Sequence, residues 1–162
     1  MRRIAMSLAL APVLFGCVAS YVPPGEPDSP TVAIDTTYVN AMFLYEDASN
    51  CSKPKRLPDK YNPFKQGATP IPVAPHKEVA FRLIAGSVVL PIVTSCGAIV
   101  SFVPQANTDY LLKYGSNETT CFVTLLSRQR SSPGGYAEDK SLKTRNVKYA
   151  VSADGPFCDP LR

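Results

Sequence analysis

Five cysteines, one histidine and a knot of basic residues with two aromatics are the side chains whose chemistry could exceed packing. Cys51, Cys96, Cys121 and Cys158 are spaced too widely for paired-ligand metal motifs, and in an oxidising compartment they bridge instead. Four cysteines allow three connectivities. The expected one is Cys51–Cys96, stapling a long loop, with Cys121–Cys158 fastening the C-terminal tail. His76, in Val73-Ala74-Pro75-His76-Lys77-Glu78, stands alone between a proline loop and a strand. A hydrolytic triad needs a nucleophile, a base and an orienting acid, and no such constellation surrounds this histidine. No glycine-rich phosphate loop is present; Gly134-Gly135 reads as a hairpin tip. The expectation is therefore a protein without catalysis, metal or cofactor.

The basic knot is Lys53, Lys55, Arg56, Lys60 and Lys65, with Tyr61 and Phe64 among them. Positive charge beside aromatics in the 48–77 loop can meet an anionic polymer, a small ligand, an acidic lipid or a protein. Lys53, Lys55, Arg56, Tyr61 and Phe64 are the candidate binding residues. The plainer reading of the same residues is a solvated loop. The fifth cysteine, Cys17, takes its meaning from what precedes it. Arg2 and Arg3 open the chain, and Ile4 to Phe15 carries no charge. That run is short of the roughly 20 residues a spanning helix needs, and a charged start before a short apolar core reads as an export signal.

The close of that run, Leu14-Phe15-Gly16-Cys17, resembles the bacterial lipobox, with Leu three before the cysteine and a small residue directly before it. Phe15 departs from the pattern, whose middle position is usually small or β-branched. The resemblance implies a lipoprotein precursor cut before Cys17 and acylated there: signal helix 1–16, a lipidated tether 17–30, and a domain 31–162. Val18 follows the cysteine, and in Gram-negative lipoproteins a residue other than aspartate there implies the outer membrane, with the domain on its periplasmic face. Cys17-Val18-Ala19 also fits ordinary signal cleavage after Ala19, which would release a soluble secreted protein. A third reading, an uncleaved cytosolic core segment, is not supported by any helical pattern downstream. The stretch 18–30, VASYVPPGEPDSP, has four prolines and no apolar periodicity, so an extended, mobile tether is expected.

The rest is of one-domain length and reads as β almost throughout. Strands are expected near Val32–Thr36, Tyr38–Glu46, Glu78–Ala85, Ser87–Val93, Ala98–Val103, Tyr110–Tyr114, Thr120–Ser127 and Lys143–Ser152. Alternation places Val79, Phe81 and Leu83 on one face, and likewise Val147, Tyr149 and Val151. Pro91 cannot donate to a ladder, so it belongs at an edge or bulge. Between 48 and 77 lies either a disulfide-pinned loop or a hidden short helix or edge strand. The fold class is all-β, an antiparallel sandwich with Greek-key connections. The run from Phe102-Val103-Pro104 to Tyr110 looks like the tyrosine corner of immunoglobulin-like and transthyretin-like domains found in small envelope lipoproteins. That resemblance implies a non-enzymatic structural or protein-interaction module of the envelope, such as an accessory to an envelope or secretion assembly. Charge adds little: removing Arg2 and Arg3 leaves 15 basic against 13 acidic residues, so no nucleic-acid partner is expected.

Overall fold

The computed structural model describes residues 18–89, 92–116 and 120–160. The expected signal helix, Cys17 and Pro91 lie outside them. The described strands are β1 (Thr31–Asp35), β2 (Ala41–Asp47), β3 (Ser52–Lys55), β4 (Ile71–Pro72), β5 (Val79–Val89), β6 (Ile92–Phe102), β7 (Thr108–Ser116), β8 (Cys121–Gln129), β9 (Ala137–Glu138) and β10 (Lys143–Arg145). They form two five-stranded sheets, ordered β4-β1-β7-β8-β9 and β10-β6-β5-β2-β3. The pairs are antiparallel except β1 with β7, which run parallel from Thr31↔Asp109 to Asp35↔Lys113. The fold is an all-β sandwich.

The two inner faces follow strand parity. Val79, Phe81 and Leu83 point inward as the alternation requires, and they meet Val32, Tyr110, Leu112 and Leu125 from the other sheet. Each such fully buried side chain stabilises by roughly 1.5–3 kcal/mol relative to exposure. Phe102 joins the two halves, its ring centroid 4.9 Å from that of Tyr110. The Tyr110 hydroxyl accepts the backbone N–H of Gln105 at 2.9 Å, which closes the turn between β6 and β7 as the tyrosine corner does.

A second, smaller core lies on the outer face of the sheet that contains β2 and β5. Tyr45, Ala80 and Ile99 are covered there by Phe157 and the Cys51–Cys158 disulfide. The observed pairs are Cys51–Cys158, with Cα atoms 5.3 Å apart, and Cys96–Cys121, at 6.1 Å. This corrects the expected Cys51–Cys96 and Cys121–Cys158. Cys96 shares its parity with Ala98, Val100 and Phe102, so it faces the opposite sheet and Cys121, whereas Cys51 sits on the outer face with the tail.

Two other expectations change. Ser87–Val93 is not one strand; it contains the ends of β5 and β6, which pair from Val79↔Phe102 to Val89↔Ile92. Lys143–Ser152 keeps only β10, and beyond it Val147, Tyr149 and Val151 point to solvent, Tyr149 at 97% exposure. The surface they would cover is filled by the returning tail, where Lys148 N–H donates to the Phe157 carbonyl at 2.7 Å. The 48–77 stretch is as expected: it holds the edge strand β3, β4 and one 3₁₀ turn, Asp59–Tyr61, and is pinned by the disulfide through Cys51.

The expected tether is docked. Ser20 bridges Arg56 in parallel, Tyr21 N–H donates to the Arg56 carbonyl at 2.8 Å, and Arg56 N–H donates to the Ala19 carbonyl at 3.0 Å. The Tyr21 hydroxyl donates to the Pro72 carbonyl at 2.7 Å. Further on, Asn107 N–H donates to the Asp28 carbonyl and Val73 N–H to that of Pro30, both at 2.9 Å. Prolines cannot donate to a ladder, but Tyr21 donates twice and the carbonyls of Ala19, Asp28 and Pro30 accept, and these bonds lay the segment along the sandwich.

Candidate binding groove

The candidate residues sit on β3 and the turn after it. β3 is the outer strand beside β2, with Leu44↔Lys55 and Asp47↔Ser52 opposed. Cys51 and Lys53 take left-handed backbone, φ 54° and 53°, and so fold the chain sharply back. Gly155 presses on this turn at φ 103°; a Cβ there would lie 3.1 Å from the Ser52 Cα and 3.2 Å from the Cys51 carbonyl oxygen. Lys53 N–H donates to the Asp154 carbonyl at 2.7 Å. The tail therefore fixes the start of β3.

Beyond that turn the five candidates separate. Lys55 Nζ pairs with Glu46 Oε2 at 2.7 Å, and this hydrogen bond and charge hold the Glu46 carboxyl below its usual range. Tyr61 turns inward and joins the main core, with Lys60 Nζ 4.5 Å from its ring centroid. Burial, with Tyr61 as a neighbour, pushes the Tyr21 phenol up to about 12. Lys53 is exposed but does not line the groove described next.

Lys55, Arg56 and Phe64 do come together. They line an open groove of about 540 Å³ with Val18, Phe43 and Lys65. Phe43 and Phe64 are each 41% exposed and Val18 is 50% exposed. Phe43 shares strand parity with Tyr45, on the outer face, but lies beyond the reach of the tail's cover and stays open. Asp59 contributes an acid to the lining. Arg56 and Lys65 are exposed and form no ion pair among the described residues. The groove thus offers apolar rings flanked by free positive charge, which suits a surface that is apolar within and anionic at its rim.

Val18 and Phe43 were not among the sequence candidates. Phe43 carried a signal: in Ala41–Asp47, Leu44 takes the inward parity, so a phenylalanine beside it faces out. Val18 carried none, because only the docking of Ala19 and Ser20 on Arg56 brings it to the groove.

His76 also has left-handed backbone, φ 58°, and its N–H donates to the Pro104 carbonyl at 2.8 Å. Its ring is exposed. Among the described residues no three His, Cys, Asp or Glu side chains gather as a metal site. Comparison with protein-family models, with curated proteins and with solved structures finds no match.

Proposed function

We propose that this chain is a lipid-anchored envelope protein, acylated on Cys17, whose β-sandwich serves as a non-enzymatic structural or protein-interaction module. In a Gram-negative source the domain stands in the periplasm on the outer membrane. The observation that carries this reading is the use of residue 19. The Ala19 carbonyl accepts the Arg56 N–H at 3.0 Å, and Ser20 bridges the same residue. Cleavage before Cys17 keeps that pairing whole, whereas cleavage after Ala19 removes the acceptor. Two disulfides fit an oxidising compartment. The anionic-polymer reading of the 48–77 loop draws less support, since Lys55 is paired and Tyr61 is buried.

Cell fractionation tests the reading. The expected result is that the protein sediments with membranes, resists high salt and leaves with detergent, while a Cys17→Ala variant loses that detergent-dependent attachment. A wild-type protein found in the soluble fraction would refute it.

A further inference from the structure

The docked N-terminal segment has a geometric consequence. A free tether of about 14 residues would let a domain wander tens of ångströms from its lipid, by the usual scaling for flexible chains. Here the chain is pinned from Ala19 onward to Arg56, the residue that follows β3. Only Val18 stands between that pin and Cys17, and consecutive Cα atoms lie about 3.8 Å apart. An acyl chain on Cys17 therefore leaves the molecule at the rim of the groove that Val18 lines.

The chemistry of that rim agrees with a bilayer surface. Phe43 and Phe64 are open rings, and exposed apolar rings gain by entering the headgroup boundary. Arg56 and Lys65 beside them are in no ion pair among the described residues, and each basic residue near an anionic leaflet contributes about 1 kcal/mol. Asp59 opposes them but is outnumbered. Resting on the lipoprotein reading above, we infer that the Phe43–Phe64 groove is a membrane-contact face, which seats the sandwich flush on an anionic lipid surface beside its own anchor. The anchor supplies attachment and the face supplies orientation. The opposite edge of the sandwich, at β9, is then turned away from the lipid.

The chain has no tryptophan, so single reporters can be placed cleanly. Full-length lipidated protein carrying Phe64→Trp, Phe43→Trp or, at the β9 edge, Tyr136→Trp is reconstituted into vesicles of phosphatidylethanolamine and phosphatidylglycerol with brominated acyl chains. Quenching and a blue shift are expected at 64 and 43 and not at 136. Arg56→Gln or Lys65→Gln should each lower the docked-to-undocked ratio ~5-fold, the effect of about 1 kcal/mol per basic residue. Replacing phosphatidylglycerol with phosphatidylcholine should weaken quenching likewise. Palmitate incorporation is read on the same preparations. Label with no quenching at 64, or with equal quenching at 136, overturns the contact face and leaves the anchor standing. Absence of label overturns the anchor and the face with it. Label with a protein cross-linked across Phe43 and Phe64 in cells, and no quenching, assigns the groove to that protein instead.

Discussion

Ser101 stands between Arg145 and Glu78: its hydroxyl accepts from Arg145 Nη1 at 3.2 Å and donates to Glu78 Oε1 at 2.9 Å. Arg145 is 4% exposed, and its guanidinium also donates to the carbonyls of Ala48, Ser49 and Asp159, with Glu78 Oε1 at 3.7 Å. One side chain thus ties β10 to the loop before Cys51 and to the tail after Cys158. Arg145→Met leaves those three carbonyls without that donor and takes the positive charge from beside Glu78, and the expected loss is about 3 kcal/mol in urea unfolding. Arg145→Lys recovers only part, because an ammonium cannot reach the same acceptors as a planar fork. A loss below ~0.5 kcal/mol, the size of a surface substitution, would show that the hub contributes little.

Tyr110→Phe keeps the ring in the core and removes the hydroxyl that accepts the Gln105 N–H and lies beside Thr108. A cost of about 1 kcal/mol is expected, with unchanged circular dichroism. Equal stability of the two proteins would mean that water replaces the hydroxyl without cost.

The disulfides differ in the length of chain they close. Cys51–Cys158 spans 107 residues and Cys96–Cys121 spans 25. By chain entropy the first stabilises by about 4.8 kcal/mol and the second by about 3.5 kcal/mol. Cys51→Ala with Cys158→Ala should therefore lower the unfolding midpoint more than Cys96→Ala with Cys121→Ala. A non-reducing peptide map should contain 51–158 and 96–121 linkages; a 51–96 linkage would contradict the two-face arrangement.

Asp109 sets the acid response of the N-terminal docking. It accepts from Arg130 Nε at 2.8 Å, Thr31 Oγ1 at 2.9 Å and Arg128 Nη2 at 3.1 Å, while Arg130 also donates to the Ser29 carbonyl. Burial works to raise its pKa, but these three hydrogen bonds together outweigh it and hold the carboxyl below the usual 3.8. A depressed folded value means that the contribution is complete above 3.8 and is lost as pH falls through the lower folded value. Asp109→Asn should flatten that acid limb of the stability curve and leave a smaller slope from Asp35 and Asp47, which are lowered in the same sense by hydrogen bonds from Thr37 and Ser49. An unchanged limb would place the acid sensitivity elsewhere.

Much of the sandwich was legible because burial imposes a period of two. Val79, Phe81 and Leu83 obey it, and the spacing from Pro104 to Tyr110 announced its turn. The same rule misplaced Val147, Tyr149 and Val151, since parity says which residues share a face and not whether anything covers it. Here Phe157 and Cys158 had already taken the site. The disulfide pairing failed for a related reason: linear spacing cannot tell that Cys96 faces the inner core and Cys51 the outer one. The docked segment was hidden because proline-rich composition reports the lack of donors, whereas its attachment uses the carbonyls of Ala19, Asp28 and Pro30 and the two donors of Tyr21. Of the groove, the charges and Phe64 were visible in one run of sequence. Phe43 and Val18 arrive from β2 and the N-terminus, and only the fold joins them.

Intact mass with metabolic palmitate labelling, beside a Cys17→Ala control, reads the proposed acylation of Cys17 directly. The expected result is a mature protein that begins at an acylated Cys17, carries label and loses it in the variant. An unlabelled product beginning at Ser20 would contradict it, and would leave a secreted β-sandwich without the Ala19 pairing to Arg56.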